Sequence, residues 1–236
     1  MKDKIFLLGV GLNNLTITQT LEYIEKGLLR TGKKYYIVTP NPEILTIADK
    51  NKEYKKVLNN AELALNDGVG NILASKFLGR PLKEVIHGVD LTENLCRDVS
   101  KQPITVGFLG AGSGVAEKTA ECLREKYPNL KINFTEEEWD FNKKYPLTDI
   151  LFVAFGSPKQ EFWIAENLKK LPVRIAIGVG GSFDFISGKV KRAPLFIRSL
   201  GLEWLFRLIT QPWRIKRQTR LLKFVYLILR EKITGI

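Results

Sequence analysis

Short apolar, β-branched runs recur along the first three quarters of the chain, at Ile5 to Leu8, Tyr35 to Thr39, Ile104 to Leu109, Lys131 to Phe134, Ile150 to Ala154 and Arg174 to Gly178. Between them lie segments with apolar residues at helical spacing, which predict helices near Thr16 to Leu29, Glu43 to Asn51, Val69 to Leu78, Leu91 to Ser100, Val115 to Tyr127 and Gln160 to Leu168. Strands alternating with helices predict an α/β layout. Several strands end in Gly, Pro, Asn or Ser, and in open parallel sheets those ends, facing the helix starts, are where ligands gather. No internal repeat or low-complexity linker interrupts the series.

The pattern changes near Lys189 to Pro194. Leu195 to Ile209 is rich in Leu and Phe and contains Trp204, so it is expected to pack on the body or dip into a headgroup region. From Lys216 onward, Leu221, Leu222, Val225, Ile228 and Leu229 recur at i, i+1, i+4, i+7 and i+8, with Lys216, Arg220, Lys223 and Arg230 on the other side. That is an amphipathic basic helix. The expected division is a core over residues 1–190 and an appendage over 191–236. A helix that simply docks, its charges forming a solvated face, is the structural alternative.

Charge sharpens this boundary. Lys189 to Ile236 holds twelve Lys/Arg against two Glu, whereas the preceding 188 residues hold 25 basic and 23 acidic groups. A near-neutral body with a cationic, aromatic tail calls for an anionic partner. No recognisable nucleic-acid motif accompanies the charge, so a membrane surface is the expectation and nucleic acid is not. Each Lys or Arg near an anionic leaflet contributes about 1 kcal/mol, so four to six of them would hold the protein reversibly. No stretch reaches the roughly eighteen uncharged apolar residues of a spanning helix. The opening Met1-Lys-Asp-Lys-Ile-Phe-Leu-Leu-Gly reads as a first strand, because its apolar run is short and no small-x-small cleavage site follows. Cys96 and Cys122 lack metal-type spacing and fit buried thiols in a reducing compartment. With one histidine, His87, a His-based metal site is not expected, and that residue reads as structural or as lining the rim rather than as catalytic.

Three glycine-bearing turns each follow a strand and open a helix. Gly110-Ala-Gly-Ser-Gly114 could hold an anion on its backbone N–H groups, or, with Glu136 to Glu138 after the next strand, S-adenosylmethionine; a turn without ligand explains it equally well. Gly156-Ser-Pro-Lys-Gln-Glu161 brings Gln160, and with it Lys159, to the same rim. In Gly178-Val-Gly-Gly-Ser-Phe-Asp184, Gly180 and Gly181 permit close approach and Asp184 could accept from ribose or a base edge. Three such turns on one sheet edge favour a shared nucleotide pocket. Thr39-Pro-Asn-Pro-Glu43 presents Thr39 and Asn41 to a polyhydroxylated ligand, or simply starts a helix with Pro42 in its first turn. Asp67, in Asn66-Asp-Gly68, is a general base, an N-cap or both, with the cap favoured on local grounds. No Asp-x-Asp pair occurs, so a diphosphate would have to be met by Arg or Lys.

These blocks, with Gly79-Arg-Pro-Leu, Gly88-Val-Asp-Leu, Phe152-Val-Ala-Phe, Gly188-Lys-Val-Lys-Arg-Ala-Pro and Gly201-Leu-Glu-Trp-Leu-Phe-Arg-Leu, together resemble the WecG/TagA/CpsF glycosyltransferases, in order and over almost the whole chain. The resemblance implies a Rossmann-like parallel-sheet core with helices on both faces and a helical, basic C-terminal appendage. It implies a bacterial peripheral enzyme at the cytoplasmic face of the membrane that transfers N-acetylmannosamine or a related sugar from a UDP-sugar. The implied acceptor is undecaprenyl-diphosphate-linked N-acetylglucosamine, in teichoic acid or surface polysaccharide assembly, with inversion and no metal or other cofactor. Asp67 becomes the leading base, with Thr39, Asn41 and Gln160 around the pocket. Gly110, Gly112, Gly180, Gly181, Phe183 and Asp184 are the expected nucleotide contacts. Arg214, Arg217 and Arg220 are expected to neutralise the diphosphate. One departure stands out: where the family commonly reads Pro-Leu-x-Glu-Arg-Val, this chain has Val85, so that Lys83 or a tail arginine would have to substitute or the sugar preference would differ. The competing readings are a methyltransferase and a non-catalytic membrane or nucleic-acid adaptor; a homo-oligomer stays open.

Overall fold

The computed structural model describes residues 3–29, 33–212 and 215–234, without the side chains of residues 199 and 215–218. The chain opens with an antiparallel hairpin, β1 (Lys4–Leu7) and β2 (Val10–Asn13), closed by Leu8 and Gly9, which both take positive φ (52° and 77°). A two-residue turn of that kind matches the twist of the paired strands, and glycine supplies one of its two left-handed positions without strain.

After α1 (Ile17–Leu29) the chain alternates as the apolar runs predict: β3 (Tyr35–Val38), α2 (Pro42–Lys50), α3 (Lys52–Asn60), β4 (Leu63–Ala64), α4 (Val69–Phe77), α5 (Gly88–Val99), β5 (Thr105–Gly110), α6 (Val115–Lys126), β6 (Lys131–Glu136), β7 (Thr148–Ala154), α7 (Lys159–Asn167), β8 (Val173–Gly178) and α8 (Ser182–Ile186). The six strands from β3 to β8 form one parallel sheet in the order β4-β3-β8-β7-β5-β6. Parallel crossovers are right-handed, so those stepping towards β4 put α2, α3 and α7 on one face, and α5, α6 and α8 cover the other with α1. Alternation feeds both sides: Phe108 and Phe152 stack towards α5 and α6, and Leu109, Leu151 and Val153 point towards α7. The direction of travel reverses between β5 and β7, opening a crevice at their carboxyl ends. Cys96 is buried, which pushes its thiol pKa well above the usual range, and Cys122 is half-buried; both are free thiols.

The tail forms α9 (Leu195–Ser199), α10 (Glu203–Thr210) and α11 (Ile215–Thr234). Among the described residues no helix is long and apolar enough to cross a membrane. The expected face of α11 is corrected: Phe224, Leu227 and Ile228 are buried in the cluster of β1, β2 and α2, while Leu222, Val225 and Leu229 of the predicted stripe are exposed. The helix therefore docks, and it carries a second, uncovered apolar stripe. Glu231 fastens it, because its Oε2 accepts from the backbone N–H of Leu8 at 2.9 Å and its Oε1 pairs with the guanidinium of Arg80.

Glu231→Ala would leave the buried Leu8 N–H without an acceptor at a strained turn, which costs about 1–3 kcal/mol. Phe224→Ala would open a cavity and cost about 3–5 kcal/mol. Urea denaturation should show both variants unfolding at lower denaturant than the parent, with Phe224→Ala the weaker; an unmoved midpoint for either would contradict the docking.

Candidate functional site

The site is assembled by chain segments distant in sequence. Asn41 caps α2, its Oδ1 accepting from Ile44 N at 3.0 Å, and Pro42 takes the first helical position, where a missing N–H does no harm. The Pro42 ring fills the space above Gly68 and Gly70, where an added Cβ would lie 2.7 Å from a ring carbon at either position. The same strand end is tied to the next loop, since Asp67 N and Asn71 Nδ2 both donate to Pro40 O at 3.1 Å. Asn66 then reaches forward. Its O accepts from Ile86 N at 2.7 Å and its Nδ2 donates to Glu84 O, delivering the next residue, His87, to Asp67.

His87 Nδ1 lies 2.8 Å from Asp67 Oδ1. One expectation changes here. Gly68, not Asp67, occupies the cap of α4 and no side-chain bond is made there; Asp67 turns instead to His87. Of the two readings of His87, structural or at the rim, the structure has it lining the same cavity as Asp67. Burial disfavours the charged ring, but the hydrogen bond and charge of Asp67, with Glu203 and Asp90 beyond, outweigh it and raise the imidazole above its ordinary pKa.

The cavity measures about 780 Å³, between the core and the appendage. Its polar end carries Asn41, Asp67, His87, Arg198, Glu203 and Arg207, and it continues as an apolar trough between α4, α10 and α11. Val85, at the position where the family arginine is expected, lines the wall; Lys83 is exposed and does not. Arginines from the appendage stand nearby, each beside a carboxylate. Arg192 grips both oxygens of Asp90 at 2.6 Å, Arg207 Nη2 donates to Glu203 Oε1 at 2.9 Å, and Arg198 lies 4.0 Å from Asp90. Burial alone would raise the Asp90 carboxyl, but the Arg192 guanidinium holds it below the usual carboxylate range.

The other predicted residues fall around this centre. Thr39 is buried and donates to Gly178 O at 3.0 Å, joining the ends of β3 and β8 rather than facing the cavity. Gln160 is buried too: its Oε1 accepts from Gly156 N and Gly180 N, both at 3.1 Å, and its Nε2 donates to Glu161 Oε1. It locks two of the glycine turns together. Gly88 brings the third element in, its Cα so near Ser182 and Val179 that a Cβ would sit 2.8 Å from Ser182 Oγ. The turn from Val179 to Ser182 that carries Gly180 and Gly181 thus packs against the residue after His87, and neither of its glycines lines the cavity. Asp184 lies at that turn, 3.9 Å from Lys189 Nζ, and Lys189 also approaches Gly112. Phe183 is wholly buried against Phe108, within the core and away from any ligand surface. At Gly110 to Gly114 the start of α6 already holds an anion, because Glu137 Oε1 accepts from Gly114 N and Ser113 Oγ at 2.8 Å each. Arg220 pairs with Glu43 at the cavity edge. Arg214 lies outside the described residues, as does the side chain of Arg217.

A parallel α/β sheet whose turn-lined edge meets a cavity bearing a carboxylate and arginines is the arrangement of a group-transfer enzyme. The chain belongs to the Glycosyl transferase WecG/TagA/CpsF family, whose model matches residues 5–236. Similar proteins include the N-acetylglucosaminyldiphosphoundecaprenol N-acetyl-beta-D-mannosaminyltransferases of Bacillus spizizenii, 35% identical over 92% of this chain and 87% of that protein, and of Staphylococcus aureus strain NCTC 8325, 32% identical over 97% and 93%. The Bacillus subtilis strain 168 protein of the same description is 33% identical over 93% of this chain and 88% of its own. The protein is a glycosyltransferase, and the methyltransferase and adaptor readings fall away.

Because the folded His87 pKa is raised, the charged pair with Asp67 adds stability that is fully present below the unfolded value of about 6.5 and is lost as pH rises through the folded pKa. The stability gap between the parent and His87→Gln should therefore be widest at about pH 6 and shrink towards about pH 9. Denaturant titrations across that range check the sign; a gap that widens with pH would contradict the pairing.

Proposed function

We propose that this glycosyltransferase moves N-acetylmannosamine or a related sugar from a UDP-sugar to undecaprenyl-diphosphate-linked N-acetylglucosamine, with inversion and without a metal, in teichoic acid or surface polysaccharide assembly at the cytoplasmic face of the membrane. The observation that carries the reading is the Asp67–His87 pair facing the cavity, with Gly88 packed on the Val179–Ser182 turn beside it. The acceptor hydroxyl oxygen bonds to the anomeric carbon as the bond from that carbon to the UDP oxygen breaks. With Oδ1 engaged by His87, Asp67 Oδ2 takes the hydroxyl proton, and the bond-pair electrons leave on the UDP diphosphate.

Gly180 and Gly181, on the turn packed against Gly88, offer backbone to the nucleotide, with Lys189 and Asp184 beside them. Arg198 and Arg207 line the cavity, and in this reading they stabilise the departing diphosphate, the task a metal performs elsewhere. Asn41 meets the sugar from the α2 cap, while Thr39 and Gln160 act one layer back by holding the turns. The names of the relatives support the donor sugar and the acceptor.

Asp67→Asn should lower kcat by about 10²–10⁴ with little change in UDP affinity by calorimetry. A variant with parental turnover would remove Asp67 from the role. Excess chelator should leave the parent rate unchanged; inhibition reversed by a divalent ion would overturn the metal-free mechanism.

A further inference from the structure

The trough leading away from Asp67 is more apolar than the transfer of a sugar between polar partners requires. On α4, Leu73 and Phe77 line it with 63% and 49% of their surface exposed; Trp204 and Leu208 of α10 face them. Val225 and Leu229 of α11 form the third wall, again about half exposed. A continuous apolar surface of this kind, opening from a polar centre, marks a binding site rather than scattered exposure.

We infer that the trough between α4, α10 and α11 holds the first isoprenoid units of the polyprenyl-diphosphate acceptor, so that lipid-chain recognition is built into the enzyme and not left to the bilayer alone. This rests on the proposed transfer to a lipid-diphosphate sugar. The lining as a whole fits one class of amphiphile: a carboxylate and imidazole for a sugar hydroxyl, arginines for an anionic linker, and three apolar helix faces for hydrocarbon. A phospholipid presents an anion and two acyl chains, without the reducing-end-linked sugar that would reach Asp67. About 780 Å³ is in the range of sites that enclose a small ligand, about 300–1,000 Å³, so the head and a few isoprene units fit and the rest of a long chain stays outside. The same helices expose Leu205 and Ile209 of α10 and Leu222 and Tyr226 of α11, further apolar surface for the outgoing chain.

The test fills the trough without making it polar, so that membrane affinity is not weakened. Leu73→Trp and Val225→Trp, on opposite walls, are assayed with N-acetylglucosaminyl-diphosphate esters of ethanol and of farnesol, and vesicle flotation is read in parallel. The parent should prefer the farnesyl ester by about tenfold or more in kcat/KM, given about 0.8 kcal/mol for each buried methylene. Both variants should lose that preference through KM, keep turnover on the ethyl ester, and float as the parent does. Equal use of both esters by the parent, or an unaltered preference in both variants, would overturn the trough while leaving the transfer reaction standing. An activity-independent arm uses a benzophenone-bearing farnesyl diphosphate: labelling should map to α4 and α11, and labelling confined to other segments would overturn the proposal. Labelling at α4 and α11 without transfer to either ester would uphold the trough and refute the proposed acceptor.

Discussion

Parallel pairing is the constraint from which the site follows. Each strand from β3 to β8 is entered from the same side, so every turn after a strand is delivered to one edge. Turns brought to one edge are not yet a site, because their backbone groups need fixed positions. The fixing is done by side chains that never reach the ligand surface. Thr39 ties β3 to β8, and Gln160 bonds the turns after β7 and β8 at once. Asn66 draws the 84–86 segment onto the loop that carries Asp67.

Behind Gln160 lies a carboxylate with no exposure, Glu161, which accepts from Tyr54 at 2.9 Å and from Ser157 and Gln160 at 2.7 Å each. A buried charge of this kind is tolerated only when its acceptor sites are met. Burial, with Glu161 adding to it, drives the Tyr54 phenol far above its usual pKa, so it remains a donor at any working pH. The network joins α3, α7 and the glycine turns into one unit, and explains why a polar Gln-Glu pair opens α7 where apolar residues would pack as well.

The alternation of strands and helices was legible because doubly covered strands give dense apolar runs. Elements with little apolar content were not: α3 buries only Tyr54 and Leu58, one turn apart in a Lys- and Asn-rich segment, and β2 reads as a turn from its Gly and Asn although all four residues are buried. The candidate residues were legible as polar positions near strand ends, but their direction was not. Thr39 and Gln160 face inward, Phe183 belongs to the core, and Glu137 occupies the anion position that Gly110 to Gly114 advertises. The pairing of His87 with Asp67 was not legible, because it depends on the Asn66–Ile86 hydrogen bond, which no local pattern records. The one visible signal of His87 was position: it directly precedes the Gly88-Val-Asp-Leu block and is the sole histidine.

The appendage is the hardest part to read from periodicity, since α11 is apolar on two sides and a helical repeat cannot say which one docks. The buried stripe supplies the answer. Phe224, Leu227 and Ile228 each contribute about 1.5–3 kcal/mol on full burial, before Glu231 is added, which is enough to hold a helix on a folded core. The α9–α10 segment is held separately, by Arg192 on Asp90 and by the Arg207–Glu203 pair whose arginine also lies over Phe185. Two independent attachments place the cationic and apolar walls of the cavity against Asp67 without a bilayer to assemble them. The stripe of α11 left uncovered stays exposed while the docked stripe keeps its geometry. A helix with one apolar face would have to choose between packing on the core and meeting an apolar partner; one with two can dock and still present apolar surface.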